Sequence, residues 1–401
     1  MIKVGVIFGG ESVEHEVSII SAVQAMNKMD SEKYEIVPIY ITKDGEWYTG
    51  DFLKEIETYQ DMHLLKKYAK NVILYRKGGS FVLQNKGFFK SVVKEIDIAF
   101  PIVHGTNVED GVLQGYLKTI GIPFVGSDVC AAAIGQDKIF QKQVWGSEGL
   151  PIPEYTWFFD SEYEEDSDAV IKKIEKAIKY PVIVKPATLG SSVGINIAHK
   201  KEELVKAIED AIGYDNKILV EEVINNLTEV NISVVGNYDT QDTSVIEEVL
   251  SSSELLTYED KYIGGSKKSG PSKGMASASR KIPAEIGTKL TNEVKEVAVK
   301  AFKALNLSGD VRIDFLIDSK KNKVYINEVN TIPGSLAFYL WEPIGKDYTE
   351  LLDELINIAV KDYKKRINKT HSFETNILSG FTGGLKGAKG CKGVKGVKSL
   401  K

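Results

Sequence analysis

Two carboxylates and a carboxamide come together if residues 309–336, GDVRIDFLIDSKKNKVYINEVNTIPGSL, fold as a hairpin. Alternation puts Val311, Ile313, Phe315 and Ile317 on one face, and Arg312, Asp314, Leu316 and Asp318 on the other. The polar run 319–323 reads as a turn and 324–330 as a second strand. Closing the hairpin symmetrically about Lys321 sets Asp314 opposite Glu328 and Arg312 opposite Asn330. Ile313 then meets Val329, and Ile317 meets Tyr325, on the core side. Opposed carboxylates repel, by roughly 4 kcal/mol at about 4 Å and an effective dielectric of about 20. A cation between the strands relieves that cost. The opposed Asp314 and Glu328 offer oxygen, with no His or Cys beside them, which points to magnesium (Mg2+, with Mn2+ as the alternative) rather than zinc. A different register would instead leave the carboxylates facing water. The turn through Pro333 and Gly334 is expected to present backbone N–H groups beside the metal.

The pattern Arg312-x-Asp314 with Asn327-Glu328-x-Asn330-Thr331-x-Pro333-Gly334 resembles the metal-binding hairpin of ATP-grasp ligases. More narrowly it resembles the D-alanine–D-alanine ligase family, and the likeness runs to about residue 365. The resemblance implies an α/β fold: a doubly wound N-terminal domain (1–126), then a two-part ATP-grasp fold (127–225 and 226–368). It also implies ATP and Mg2+ as cofactors, with Asp314, Glu328 and Asn330 holding the metal, D-amino acids as substrates and an acyl phosphate intermediate. Members are commonly homodimers.

Other elements must position these groups. Residues 2–8 read as a buried parallel strand, and Gly9-Gly10 turns it toward a helix near Glu14, the opening of a doubly wound unit. The turn lacks GxGxxG, so a dinucleotide site is poorly supported. Residues 9–18 are very similar to the family's N-terminal signature, in which the residue matching Glu14 holds the ammonium of the first amino acid. An acidic helix start favoured by the macrodipole is the simpler alternative. Strands are expected near 34–41 and 96–103, with a last one at 122–126. His104 follows the second of these; on the resemblance it borders the first-substrate pocket, although Val108 stands where glycine is usual.

Asp137-Lys138 opens a helix, a further strand starts after Pro151, and 181–186 is followed by a Gly/Ser loop and a helix over 201–212. The loop 190–194 is not a Walker A loop. Its small residues nevertheless let backbone N–H groups approach phosphate closely. The resemblance puts Lys138, Lys185, Ser191 and Ser192 on the triphosphate. It puts Glu221, Glu222 and Ile224 at the adenine and Glu229 at the ribose hydroxyls. Residues 251–281 are Gly- and Ser-rich and read as a long lid or a disordered loop; residues 258–262 resemble the family's ω-loop, which implies that Lys261 reaches phosphate and Tyr262 bonds Ser191. Helices are expected over 283–305 and 348–366.

The resemblance further implies that Glu14, Ser191 and Tyr262 orient the amino acids, and that Arg312 and the backbone at Gly334 stabilise the tetrahedral oxyanion. Where relatives use a serine hydroxyl and the next backbone N–H to grip the acceptor carboxylate, this chain has Tyr339 and Leu340. Either the acceptor differs from D-alanine (D-serine and D-lactate are the alternatives), or Phe338, Tyr339 and Trp341 pack beneath the last helix.

Composition sets outer bounds. With 43% hydrophobic and 27% charged residues and a net charge of −5, the 401-residue chain has no whole-molecule attraction to nucleic acid or membranes. Cys130 and Cys391 stand far apart and make neither a disulfide framework nor a zinc site. The start of the chain does not read as a signal peptide, and no apolar run spans a membrane, so a cytoplasmic location is expected. The tail, 369–401, ends in a Lys-Gly tripeptide repeat with six lysines and no acid beyond Leu385. Glycine at every third residue opposes a helix, and disorder is expected, with a weak contact to an anionic surface as the alternative. Deleting residues 383–401 should leave the melting temperature and turnover unchanged; a clear fall in melting temperature would contradict this.

Overall fold

The computed structural model describes residues 1–250 and 279–372. Lys261, Tyr262 and the Lys/Gly repeat therefore lie outside the described residues. The chain divides into a unit spanning Met1–Tyr363 and a second spanning Lys364–Lys401.

β1 (Ile2–Gly9) is buried from Val4 onward, as suits a central parallel strand. β2 (Tyr34–Ile41) and β7 (Ile98–Pro101) pair with it in parallel, Gly5 lying opposite both Val37 and Ala99. The parallel part is thus as the sequence suggests. The remainder of the sheet is an antiparallel meander that the sequence did not reveal. It comprises β3 (Trp47–Thr49), β4 (Lys70–Lys77), β5 (Ser80–Asn85) and β6 (Val92–Ile96), in the order β6-β5-β4-β3-β2-β1-β7. Only one face of β4 is buried, through Val72 and Leu74, and lysines dilute the alternation. The expected strand over 96–103 divides at Asp97, whose carboxylate accepts from the Lys3 backbone N–H at 2.8 Å. Residues 122–126 contribute only a parallel bridge between Ala99 and Phe124.

The second sheet joins β8 (Tyr155–Phe159), β9 (Val182–Pro186), β10 (Asn196–Ala198) and β11 (Lys217–Glu222) in the order β10-β9-β11-β8. Helices Ser167–Ala177 and Lys201–Ile212 bury apolar residues at helical spacing (Val170, Ile171, Ile174; Leu204, Ala207, Ile208, Ala211) in its core. The third sheet joins β12 (Leu227–Gly236), β13 (Gln241–Leu250), β14 (Ser279–Lys281), β15 (Gly309–Asp318) and β16 (Lys323–Asn330) in the order β14-β13-β12-β15-β16. Helix Thr288–Ala304 shares a core with Val230, Ile232, Val311, Ile313 and Phe315. Strand alternation then sends Glu229, Asn231, Arg312 and Asp314 to the opposite face. The helix begins five residues later than the sequence suggests, after Gly287 at φ +80°. Helix Tyr348–Ile367 ends the described elements, and no helix among the described residues is long and apolar enough to cross a membrane.

The hairpin register matches expectation where it matters for chemistry: Arg312 pairs with Asn330, Ile313 with Val329 and Asp314 with Glu328. Beyond that a bulge intervenes, and Ile317 faces Val324, not Tyr325. The extra residue is Asn327, and the bulge turns both Asn327 and Glu328 toward the cleft.

Behind this hairpin Asp310 is buried, its carboxylate accepting from the Ser233 hydroxyl, which in turn accepts from Trp341 Nε1 at 2.9 Å. Burial pushes the Asp310 carboxyl up to about 8, against the opposing pull of Ser233, Lys346 and Arg312. The folded protein therefore keeps a proton that the unfolded chain releases near pH 4. Stability tied to Asp310 is fully present below that pH and is lost as pH rises toward 8. Asp310→Asn should flatten this slope and stabilise the protein at pH 8 by about 1–3 kcal/mol, read by urea melts at several pH values. An unchanged slope would contradict it.

Candidate active site

A cleft separates the second and third sheets. Ile183, Ile195, Ile197 and Leu316 line it, an apolar slot suited to a planar ring. The residues expected at the adenine, Glu221, Glu222 and Ile224, border it, and Glu229 lies beside them.

The lysines at this site come from two elements. Asp137 caps helix Lys138–Ser147, accepting from the N–H groups of Ile139 and Phe140 at 2.9 and 3.0 Å. Lys138 thereby sits at the first helical position; its Nζ donates to the Leu189 carbonyl at 2.7 Å and lies 3.2 Å from Glu328. Lys142, one turn further on, reaches Glu221 at 2.5 Å. Lys185 at the end of β9 holds the other Glu221 oxygen at 2.6 Å and donates to Asn327 Oδ1 at 3.1 Å. Glu221 is thus a buried bridge between two lysines, a role the sequence did not suggest, and Lys142 is a site residue it missed.

Burial alone would raise the Glu221 carboxyl and lower both lysines. Lys142 and Lys185 outweigh it at Glu221, which is held below the usual carboxylate range. Burial still governs Lys142, which is lowered with Lys185 adding to the effect; Lys185 is raised, because Glu221 and Glu328 together overcome its burial. One carboxylate shared by two ammonium groups leaves a cationic surplus in a buried site, which suits a polyphosphate.

Asp314 and Glu328 face each other as expected, and each also has a side-chain cation. Arg312 grips Asp314 with two N–H groups at 2.7 and 2.8 Å, Asn330 Nδ2 donates to Asp314 at 3.2 Å, and Lys138 attends Glu328. Among the described residues no three His, Cys, Asp or Glu side chains cluster closely enough to hold a metal alone. Asp314, Glu328 and Asn330 instead make an incomplete oxygen set, which fits magnesium that draws its remaining ligands from phosphate and water.

The loop after β9 reaches over to the first sheet. Ser191 and Ser192 adopt φ of +57° and +62°, and the Ser191 hydroxyl donates to Glu14. Glu14 sits at the N-cap of helix His15–Lys28, and its side chain turns to Ser191 and caps no helix N–H. A Cβ on Gly190 would lie 3.1 Å from Glu14, so the loop approaches closely. Val108 fills the space beside Gly10, where a Cβ would meet it at 2.5 Å.

One expected residue, His104, does not present its side chain to the cleft. His104 is buried, with Nε2 on the Ser21 hydroxyl at 3.1 Å and Nδ1 on the Ile332 carbonyl at 2.8 Å, and burial lowers its pKa. Both ring nitrogens are engaged, so it fastens the first helix to the 330–334 turn instead of meeting a ligand. Glu109, which the sequence reading missed, holds the same turn by accepting from the Thr331 hydroxyl and the Ile332 N–H, each at 2.9 Å. Gly334 starts the 3-10 segment Gly334–Leu340, in which Ser335, Leu336 and Ala337 all take left-handed φ. Leu340 is buried in the core of the first sheet.

Tyr339 does line the cleft. Its hydroxyl donates to Glu247 at 3.2 Å, Arg280 lies 5.2 Å from its ring centroid, and Arg280 Nε pairs with Glu247 at 3.1 Å. Neither Glu247 nor Arg280 was legible, since they flank residues 251–278 and only sheet pairing unites them. Phe338, by contrast, stacks on Tyr348 at 4.4 Å and Trp341 is buried, as the packing alternative holds.

Two family descriptions match the chain: "D-ala D-ala ligase N-terminus" over residues 3–127 and "D-ala D-ala ligase C-terminus" over 144–357. The chain belongs to the D-alanine–D-alanine ligase family. Membership carries the enzyme class, an ATP-dependent carboxylate–amine ligase with the ATP-grasp fold. A D-alanine–D-alanine ligase of Thermosipho melanesiensis is 38% identical over 379 residues, covering 94% of this chain and 98% of the relative. The D-alanine–D-alanine ligase structure from Coxiella burnetii is 28% identical with a TM-score of 0.76, covering 91% of this chain and 96% of that one. The VanG D-Ala:D-Ser ligase of Enterococcus faecalis is 32% identical with a TM-score of 0.74, covering 89% and 99%.

Proposed function

We propose that this enzyme joins two D-alanine molecules into D-alanyl-D-alanine at the expense of ATP, for peptidoglycan precursor synthesis. The observation that carries the reading is the pairing of Asp314 with Glu328 in a cleft lined by Lys138, Lys185 and Arg312, with Lys142 held on Glu221. A carboxylate oxygen of the first D-alanine attacks the γ-phosphorus and ADP leaves. The amine of the second attacks the acyl carbon, loses a proton, and phosphate departs carrying the original carboxylate oxygen. Lys138 and Lys185 neutralise phosphate charge, and Lys142 holds Glu221 in place for Lys185. Asp314, Glu328 and Asn330 would hold magnesium, whose chemistry is to neutralise phosphate charge. Glu14, fixed by Ser191, takes the ammonium of the first amino acid, and Arg312 with the backbone at Gly334 stabilises the oxyanion. Glu222, Ile224 and Glu229 border the nucleoside, and Ser192 the phosphates.

ADP release measured across a panel of D- and L-amino acids tests this. Release with D-alanine alone, with the dipeptide as product, is expected; release only with other amino acids would overturn it. A second reading, D-serine as acceptor, is favoured by Tyr339 in the cleft wall and by the likeness to a D-Ala:D-Ser ligase; preferential D-alanyl-D-serine formation in the same panel would establish it. Under either reading the enzyme is a cytoplasmic homodimer, which sedimentation of the purified protein tests as to assembly.

A further inference from the structure

The acceptor end of the cleft is built differently from what the family resemblance implies for position 339. A hydroxyl there would have to donate to the acceptor's carboxylate. A phenol has one proton, and that of Tyr339 goes to Glu247 Oε2 at 3.2 Å. Its remaining lone pairs repel an anion, as does Glu247 itself. Of these three neighbours only Arg280 can donate, through a planar guanidinium fork matched to a carboxylate. Glu247 orients that fork through Nε at 3.1 Å, and the Tyr339 ring lies 5.2 Å from it.

A second group points to the same ligand. Sheet pairing sets Glu247, Asn231, Asp314 and Glu328 side by side in one row across four strands. Asn231 in that row lines the cleft at 7% exposure, and its side-chain oxygen has no hydrogen-bond partner among the described residues. A buried carbonyl without a donor is costly to keep and is satisfied by a ligand N–H. A cationic fork beside a lone amide oxygen, at the edge of the Asp314–Glu328 pair, matches the two ends of an α-amino acid.

We propose that Arg280 grips the α-carboxylate of the acceptor amino acid and that Asn231 Oδ1 accepts from its amine, Glu247 and the aromatic ring at position 339 serving to position Arg280. This rests on the ligase reading above. Arg280→Met should raise the KM of the acceptor about 10- to 100-fold, the scale of a lost charge-assisted bond, while kcat at saturating acceptor and the KM values of donor and ATP move less than about threefold. Asn231→Ala should raise the same KM, and Tyr339→Phe should change it by less than about threefold. Because Arg280→Met strips Glu247 of its partner, Arg280→Met/Glu247→Gln carries the same expectation should the single variant misfold. A rise in the KM of ATP instead of the acceptor, or a Tyr339→Phe effect as large as that of Arg280→Met, would overturn the assignment. If the wild-type enzyme releases no ADP with D-alanine, the ligase reading fails separately. Calorimetric binding of D-alanine to the ADP-loaded protein then reads Arg280 directly, and equal affinity in wild type and Arg280→Met would overturn the proposal.

Discussion

Glu328→Gln is expected to lower D-alanine-dependent ADP formation by at least about two to three orders of magnitude, the scale seen when one preorganised electrostatic contact is removed. The glutamine keeps the side chain's size but removes the charge that Asp314 opposes and Lys138 attends. Folding should survive, since the side chain is partly exposed and its ion pair with Lys138 is not the core's anchor. A steady-state ADP assay beside a thermal melt separates the two effects. Full activity in a folded Glu328→Gln protein would contradict both the hairpin register and the role assigned to it.

Glu221→Gln should act first on stability. It leaves Lys142 and Lys185 buried without their shared carboxylate, and breaking such a pair costs about 3–5 kcal/mol. That is a large part of the roughly 5–15 kcal/mol that holds a typical domain together. The loss has a direction in pH. A buried lysine that sheds its proton more easily than the unfolded chain destabilises the fold below its own pKa, and stability returns as pH rises toward the ordinary lysine value. Urea melts of Glu221→Gln should therefore show a deficit at pH 7 that narrows by pH 10. If Glu221 did no more than contact the adenine, the KM of ATP would change and the melts would not.

How much could be read beforehand depended on whether the signal was local. The upper half of the hairpin was legible because alternation through Arg312, Ile313 and Asp314 has one self-consistent pairing with Glu328, Val329 and Asn330. The bulge at Asn327 was not, since a single inserted residue looks the same as the next step of a regular strand. Helix Lys201–Ile212 fell where its periodicity placed it, whereas the meander from β3 to β6 hid behind surface lysines. Within the site, Glu14, Lys138 and Lys185 stood in recognisable phrases. Lys142 was passed over although it lies four residues beyond Lys138 on one helix. Glu109, Asn231, Glu247 and Arg280 gain meaning only from pairing between distant strands and turns, which no local pattern encodes. His104 carried the opposite lesson: a histidine at a strand end beside a substrate motif turned out to be a buried strut.

In the proposed reaction a D-alanine carboxylate is activated by phosphoryl transfer in the cleft between the second and third sheets. Supplying D-alanine labelled with oxygen-18 in its carboxylate and analysing the released phosphate by mass tests it most directly. Attack on the γ-phosphorus followed by displacement predicts one labelled oxygen in each phosphate released, with ADP as the other nucleotide product. Unlabelled phosphate, or label appearing in AMP, would contradict the account.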